Sequence, residues 1–159
     1  HAFYKQFKKT YHIQLQLESI VFKGKSIPRV AALVEAMFMA ELEDLLLTAG
    51  YDLDIVQPTV GIYVADGSER YIRINGQEQV LKAGDMYIAD AEGVLSSVLY
   101  GPDRRTQINA QTRRVLFTSY APPGIGQAAV HDHLENIRSN VGVITPGARL
   151  ELLQVYGPS

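Results

Sequence analysis

Two dipeptides in the middle of the chain, Asp66-Gly67 and Asn75-Gly76, constrain its fold more than any other feature. Both are strong signals of a tight β-hairpin, because the favoured two-residue turns need positive φ and aspartate, asparagine and glycine tolerate it best. With apolar, β-branched runs on either side, they predict strands over 60–65, 71–74 and 77–81. Further strands are expected at 86–89, 94–99 and 113–119, and 149–155 reads as a closing strand. Ahead of this region the pattern is helical. Residues 30–49 follow Pro28, are rich in Ala, Leu, Met and Glu, and stop at Gly50, which reads as a left-handed cap. Residues 13–23 fit both an alternating and a helical spacing, with Gly24 as a helix stop, and 126–140 returns to helical spacing through Val130, Leu134 and Ile137. The expected architecture is α+β: N-terminal helices packed on a mixed, mainly antiparallel sheet or sandwich.

A length of 159 residues with 47% hydrophobic content suits one domain over 1–159, with a core spanning about 12–156. No apolar stretch reaches the ~18 residues of a spanning helix, and no charged leader precedes an apolar segment. No membrane partner is expected, and the cytoplasm is the expected compartment. With no cysteines, disulfides and thiolate zinc sites are excluded, so the core must hold the fold alone. Net charge is −2, yet residues 1–30 and 103–114 together carry +8 and the remainder −10. A basic face is one reading of that asymmetry, and solvated surface charge is the other.

The run 86–120 is where chemistry is expected, since polar loops on a rigid scaffold usually carry it. The loop 100–106 places Tyr100, Asp103, Arg104, Arg105 and Thr106 close together. A guanidinium can grip a carboxylate or phosphate with two parallel hydrogen bonds, and a nearby aspartate can orient it or bind an amine. The alternative is an Asp103–Arg105 pair and a Thr106 turn contact that merely pin a crossover. Ser96 and Ser97 interrupt an apolar strand, so at least one hydroxyl faces inward and needs a partner. Neither has the glycine-flanked elbow of a serine nucleophile. His131-Asp132-His133 suggests a metal pair, but positions two apart on a helix point in different directions, so both read as surface histidines and no metal or cofactor is expected. The turn 81–85 also suits a cupin barrel, although no histidine lies between His12 and His131 to serve a metal, leaving a metal-free ligand-binding barrel as the minor alternative.

The order Gly84-Asp85, Tyr87-Ile88-Ala89-Asp90, Glu92-Gly93-Val94, Arg105-Thr106, Ile108, Thr112 and Val115-Leu116-Phe117 carries a further implication. Upstream stand Ile27-Pro28, Leu33-Val34-Glu35 and Gly50-Tyr51-Asp52-Leu53-Asp54. Over roughly 12–120 this order resembles the tRNA-editing domain of the phenylalanyl-tRNA synthetase β subunit, particularly its free-standing relatives. Those relatives carry an additional N-terminal stretch, so a chain opening on His1 implies that a native N-terminal stretch is missing. The resemblance implies that Tyr51, Asp52, Ser97, Tyr100, Asp103, Arg105, Thr106 and Thr118 line or border a pocket for an amino-acid-like ligand. It implies tRNA or aminoacyl-tRNA as partner. If RNA is bound, the two basic segments are expected to act together, with Lys8, Lys9, Arg104, Arg113 and Arg114 as the RNA-binding cations.

The family's pocket asparagine falls on Phe38, its histidine near Ala49 and its glutamate near Thr118, and all three are changed. Rejecting phenylalanine while accepting tyrosine needs buried polar groups that phenylalanine leaves unpaired. That mechanism has lost its partners here. Two classes therefore stand at the sequence level: a hydrolase that clears mischarged tRNA in trans, retuned toward a less polar side chain, and a non-catalytic module that binds a small molecule or RNA.

Overall fold

The structure, a computed structural model, describes residues 2–24 and 31–157. His1, Ile27-Pro28, the cations Lys25 and Arg29, and the expected helix start at Val30 lie outside the described residues. The chain is α+β, with three helices before the strands and one after them, and its described residues form two compact units. One lies within 1–48 and 118–159, the other is 49–117.

In the first unit, helices α1 (Ala2–Gln6) and α2 (His12–Val21) precede α3 (Ala32–Asp44), and α4 (Gln127–Ile144) follows the strands. The ambiguous segment at 13–23 is thus a helix, with Gln14 Nε2 donating to Glu18 Oε1 at 2.8 Å across one turn and Ile13 buried. Packing joins α3 to both α2 and α4, and Asn140 of α4 donates to the Ala36 carbonyl at 3.2 Å. The α4 stripe that turns inward is Val130, His133 and Ile137, so His133 takes an inward place expected for Leu134.

Helix α3 does not run to Gly50. Leu45 adopts the left-handed conformation at φ 59, its amide still donating to the Glu41 carbonyl, and strand β1 (Leu47–Asp52) begins two residues later. A non-glycine residue in that conformation costs roughly 1–2 kcal/mol, so local sequence gives no sign of the stop. Gly50 serves another purpose. A Cβ there would come within 2.8 Å of Ile108 Cδ1 and 2.9 Å of the Phe117 ring, so only glycine lets the strand lie this close to them.

The second unit holds two small sheets. Strands β2 (Gly61–Val64), β5 (Met86–Asp90), β6 (Gly93–Ser97) and β7 (Gly101–Pro102) pair antiparallel in the order β2-β5-β6-β7, while β3 (Arg70–Ile72) pairs only with β4 (Glu78–Val80). Asn75-Gly76 is a hairpin turn as expected, with Gly76 at φ 82 and the Arg73 amide donating to the Gln77 carbonyl. Asp66-Gly67 is a turn without a hairpin. The Glu69 carboxylate accepts the Asp66 and Gly67 amides and Asp66 accepts that of Ser68, which closes the turn internally and leaves β2 free to pair with β5. The four-stranded sheet is open at β2 and β7, which removes the barrel alternative. Ala65, Tyr71, Leu81 and Val94 form the apolar cluster beneath these strands, with Tyr87 and Tyr100 packed on it.

Strand β8 (Val115–Tyr120) pairs with β1. The expected closing strand at 149–155 is absent: those residues form no ladder with any described strand.

Replacing Gly50 with alanine is expected to lower stability by about 1–3 kcal/mol through overpacking against Ile108 and Phe117. An unchanged denaturation midpoint would contradict the close approach.

Candidate functional site

The loop 101–106 is fixed by its own aspartate. Asp103 is buried, and its carboxylate accepts the Arg105 amide at 3.1 Å, the Thr106 amide at 3.2 Å and the Thr106 hydroxyl. The Asp103 amide donates to the Leu95 carbonyl and the Arg104 amide to that of Ile72, which hangs the loop on both sheets. Desolvation raises the Asp103 carboxyl above its ordinary value, against the pull of the Thr106 and Arg105 donors.

Arg105 turns back into the protein. Its guanidinium meets Asp90 at 2.8 Å, Glu92 at 3.3 Å and Asp103 at 3.8 Å, and the Asp90 side chain is 0% exposed. Asp90 also accepts the amides of Gln57, Glu92 and Gly93. Burial raises its carboxyl, but the Gln57 amide and Arg105 outweigh that and hold it below its ordinary value. The pinned-crossover arrangement is therefore present in full, and the contact to exposed Glu92 is the one that an incoming anion could replace.

The neighbouring polar residues are also engaged. Asp52 accepts the Thr112 hydroxyl at 2.7 Å, and its amide donates to the Thr106 carbonyl. Tyr51 is fully buried, its hydroxyl 2.5 Å from that of Ser96, and the Ser97 hydroxyl donates to Asp85 at 2.5 Å while accepting the Tyr100 amide. Both serines are thus buried. Tyr51, Asp52, Ser97, Tyr100, Asp103, Arg105 and Thr106 all belong to the second unit, with Tyr100 and Arg105 part-exposed, whereas Thr118 lies in the first.

Of the expected RNA-binding cations, Lys8 and Lys9 lie in the first unit, and Arg104, Arg113 and Arg114 in the second. Lys8, Arg104, Arg113 and Arg114 are exposed. Arg113 donates to the Ala110 and Thr112 carbonyls, and Arg114 pairs with Asp54 at 3.2 Å. Among the described residues, no three His, Cys, Asp or Glu side chains are grouped to hold a metal ion, and no helix is long and apolar enough to cross a membrane.

The first unit contains a cluster that the sequence did not reveal. His131 is exposed, but His133 is 0% exposed and is not a surface histidine. Its Nδ1 lies 2.9 Å from Asp44 Oδ2 and its Nε2 lies 2.7 Å from Thr48 Oγ1, which is 2.9 Å from the Ser119 hydroxyl. Asn136 donates to both Asp44 oxygens. The available signal was the inward stripe of α4, on which His133 stands between Val130 and Ile137. Its partners come from distant parts of the chain. Beneath Thr48, buried Glu41 accepts the Thr48 amide at 2.7 Å, and desolvation, only partly offset by that bond, pushes its carboxyl up to about 7.

A profile described as the B3/4 domain matches residues 2–140. The chain belongs to the B3/4 domain family. Over 66 residues it is 33% identical to the phenylalanine–tRNA ligase beta subunit of Tropheryma whipplei (strain Twist), a span of 42% of this chain and 7% of that protein. Its fold is similar to an N-terminal fragment of the phenylalanyl-tRNA synthetase beta subunit from Pyrococcus horikoshii, with a TM-score of 0.58 at 16% identity over 70% of this chain and 40% of that one. The B3/4 chain thus spans a small part of the ligase subunit and less than half of the solved fragment.

Two outcomes are expected. Arg105→Ala leaves the Asp90 carboxylate without its cation but with its three amide donors, so stability should fall by about 1–3 kcal/mol and the Asp90 carboxyl, followed by NMR titration, should rise; an unmoved Asp90 would contradict the pin. Glu41 is raised in the folded state, so its contribution is full below the unfolded value and is lost as pH rises from 4.5 through about 7. Glu41→Gln should remove that slope and stabilise the protein at pH 8 by something on the order of 3 kcal/mol, read from denaturation at the two ends of the range. Equal slopes in the two proteins would contradict the burial argument.

Proposed function

We propose that the chain is an aminoacyl-tRNA editing-like domain that binds RNA bearing an aminoacyl ester and hydrolyses mischarged tRNA in trans. The observation that carries this reading is the B3/4 family match across residues 2–140, supported by the local identity to a phenylalanine–tRNA ligase beta subunit. That residues 1–159 act as one domain, and do so in the cytoplasm where aminoacyl-tRNA is made, is part of the proposal. The ligand-binding residues of the reading are Tyr51, Asp52, Ser97, Tyr100, Asp103, Arg105, Thr106 and Thr118. Within the second unit the buried members hold the loop, while part-exposed Tyr100 and Arg105 meet the ligand, whose anionic group exchanges with Glu92. Lys8, Lys9, Arg104, Arg113 and Arg114 contact phosphate.

One observation favours the second reading, a non-catalytic small-molecule or RNA-binding module: Arg105 is already engaged by Asp90, Glu92 and Asp103. The replacement of the family's polar pocket residues by Phe38, Ala49 and Thr118 points the same way for any tyrosine-specific activity.

The two readings separate in one assay, deacylation of tRNAs mischarged with alanine, valine, isoleucine or tyrosine. The editing reading predicts broad hydrolysis of the apolar esters, because one methylene discriminates by only ~1–3 kcal/mol. Strong preference for the tyrosyl ester would contradict the assignment of Phe38, Ala49 and Thr118. Hydrolysis of none would leave the binding module. In either reading, alanine at the five cations should weaken RNA binding regardless of sequence and flatten the slope of log K on log salt by ~0.7–0.9 for each phosphate no longer neutralised.

A further inference from the structure

The buried cluster of the first unit has a direction. Asp44 Oδ2 faces His133 Nδ1 at 2.9 Å, and a carboxylate only accepts, so in the neutral ring the proton sits on Nδ1 and Nε2 presents its lone pair. Thr48 Oγ1 lies 2.7 Å from that lone pair and 3.3 Å from the Leu46 carbonyl, so its single proton goes to Nε2. The Ser119 hydroxyl, 2.9 Å from Thr48 Oγ1, then donates to it. Every proton in the chain Ser119, Thr48, His133, Asp44 points inward, and the oxygen at the outer end belongs to a part-exposed serine on β8. Asn136 also donates to both Asp44 oxygens, which fixes the carboxylate at the inner end of the chain.

We infer that Ser119 is a nucleophile for carboxylic esters, activated through Thr48 by the His133–Asp44 pair. The natural ester, an aminoacyl group on a ribose hydroxyl, rests on the editing reading; the nucleophile itself does not. As Ser119 Oγ bonds to the carbonyl carbon, its proton passes to Thr48 and that of Thr48 passes to His133 Nε2. When the ester C–O bond breaks, Ser119 Oγ is acylated and carries no proton, so the leaving ribose oxygen takes its proton from Thr48 Oγ1, which His133 Nε2 reprotonates. Water then attacks the acyl-serine, hands its proton along the relay, and releases the carboxylic acid and the free hydroxyl. Thr48, His133 and Asp44 act on Ser119 in this scheme, with His133 Nε2 taking up the proton.

An alkyl fluorophosphonate tests the nucleophile without any tRNA, because serine displaces fluoride from phosphorus and keeps the adduct. The protein should gain one adduct, with fragment ions placing it on Ser119, and Ser119→Ala should not be labelled. Thr48→Val, which keeps shape but breaks the relay, should be labelled more slowly by about 100-fold or more, and Asp44→Asn likewise through the wrong ring tautomer. Thr48→Ser should restore most of the rate, an outcome a structural threonine would not produce. Folding of each variant is checked by circular dichroism. No adduct on the folded protein, an adduct elsewhere, or an undiminished rate in folded Thr48→Val would overturn the inference. Labelled Ser119 with no hydrolysis of any aminoacyl-tRNA keeps the nucleophile and removes the editing reading. Aminoacyl-tRNA hydrolysis undiminished in Ser119→Ala keeps the editing reading and overturns the nucleophile.

Discussion

The Asp90 carboxylate accepts the amides of Gln57, Glu92 and Gly93 together with the Arg105 guanidinium, so one buried anion ties three segments of the second unit together. An isolated carboxylate at that depth would be expensive, and its four donors are what make it tolerable. Asp103 repeats the arrangement one loop away, holding Arg105 and Thr106 by their amides and sharing the same guanidinium. Through the Thr106 carbonyl the network reaches the Asp52 amide, and through the Asp52 carboxylate it reaches Thr112. The loop that the proposed ligand site depends on is therefore set largely by buried carboxylates bonded to backbone amides and to one guanidinium.

That origin explains a tension in the functional reading. The side chains that make a loop rigid are the same types that bind an anionic ligand, and here most of them are spent on each other. A preorganised site tolerates this only if some contact exchanges, and Glu92, 56% exposed, is the most solvent-accessible of the carboxylates on Arg105. The first unit solves a different problem. Its polar chain is buried at the histidine and part-exposed at the serine.

Local signals were legible where chemistry is local. Asn75-Gly76 specified its hairpin, the Ala- and Leu-rich run specified α3, and α4 followed from its spacing. The failures share one cause: the deciding partner lay far away in the sequence. Asp66-Gly67 specified a turn but not which strand would pair with β2. The end of α3 depends on Leu45 accepting a left-handed conformation, while Gly50 is kept small by Ile108 and Phe117, which no local pattern reveals. His133 looked like half of a surface pair until Asp44 and Thr48 met it. The polar loop 100–106 was visible at once as a cluster, yet whether Arg105 faced a ligand or Asp90 was set by residues outside the loop.

The central claim is that this B3/4 domain recognises the aminoacyl end of tRNA, by hydrolysis or by binding alone. Comparing its affinity for one tRNA in two forms, uncharged and carrying a non-hydrolysable amide-linked amino acid, tests that claim most directly. The account predicts tighter binding of the charged form by about tenfold or more, worth ~1.4 kcal/mol. Equal affinity for the two forms would contradict it.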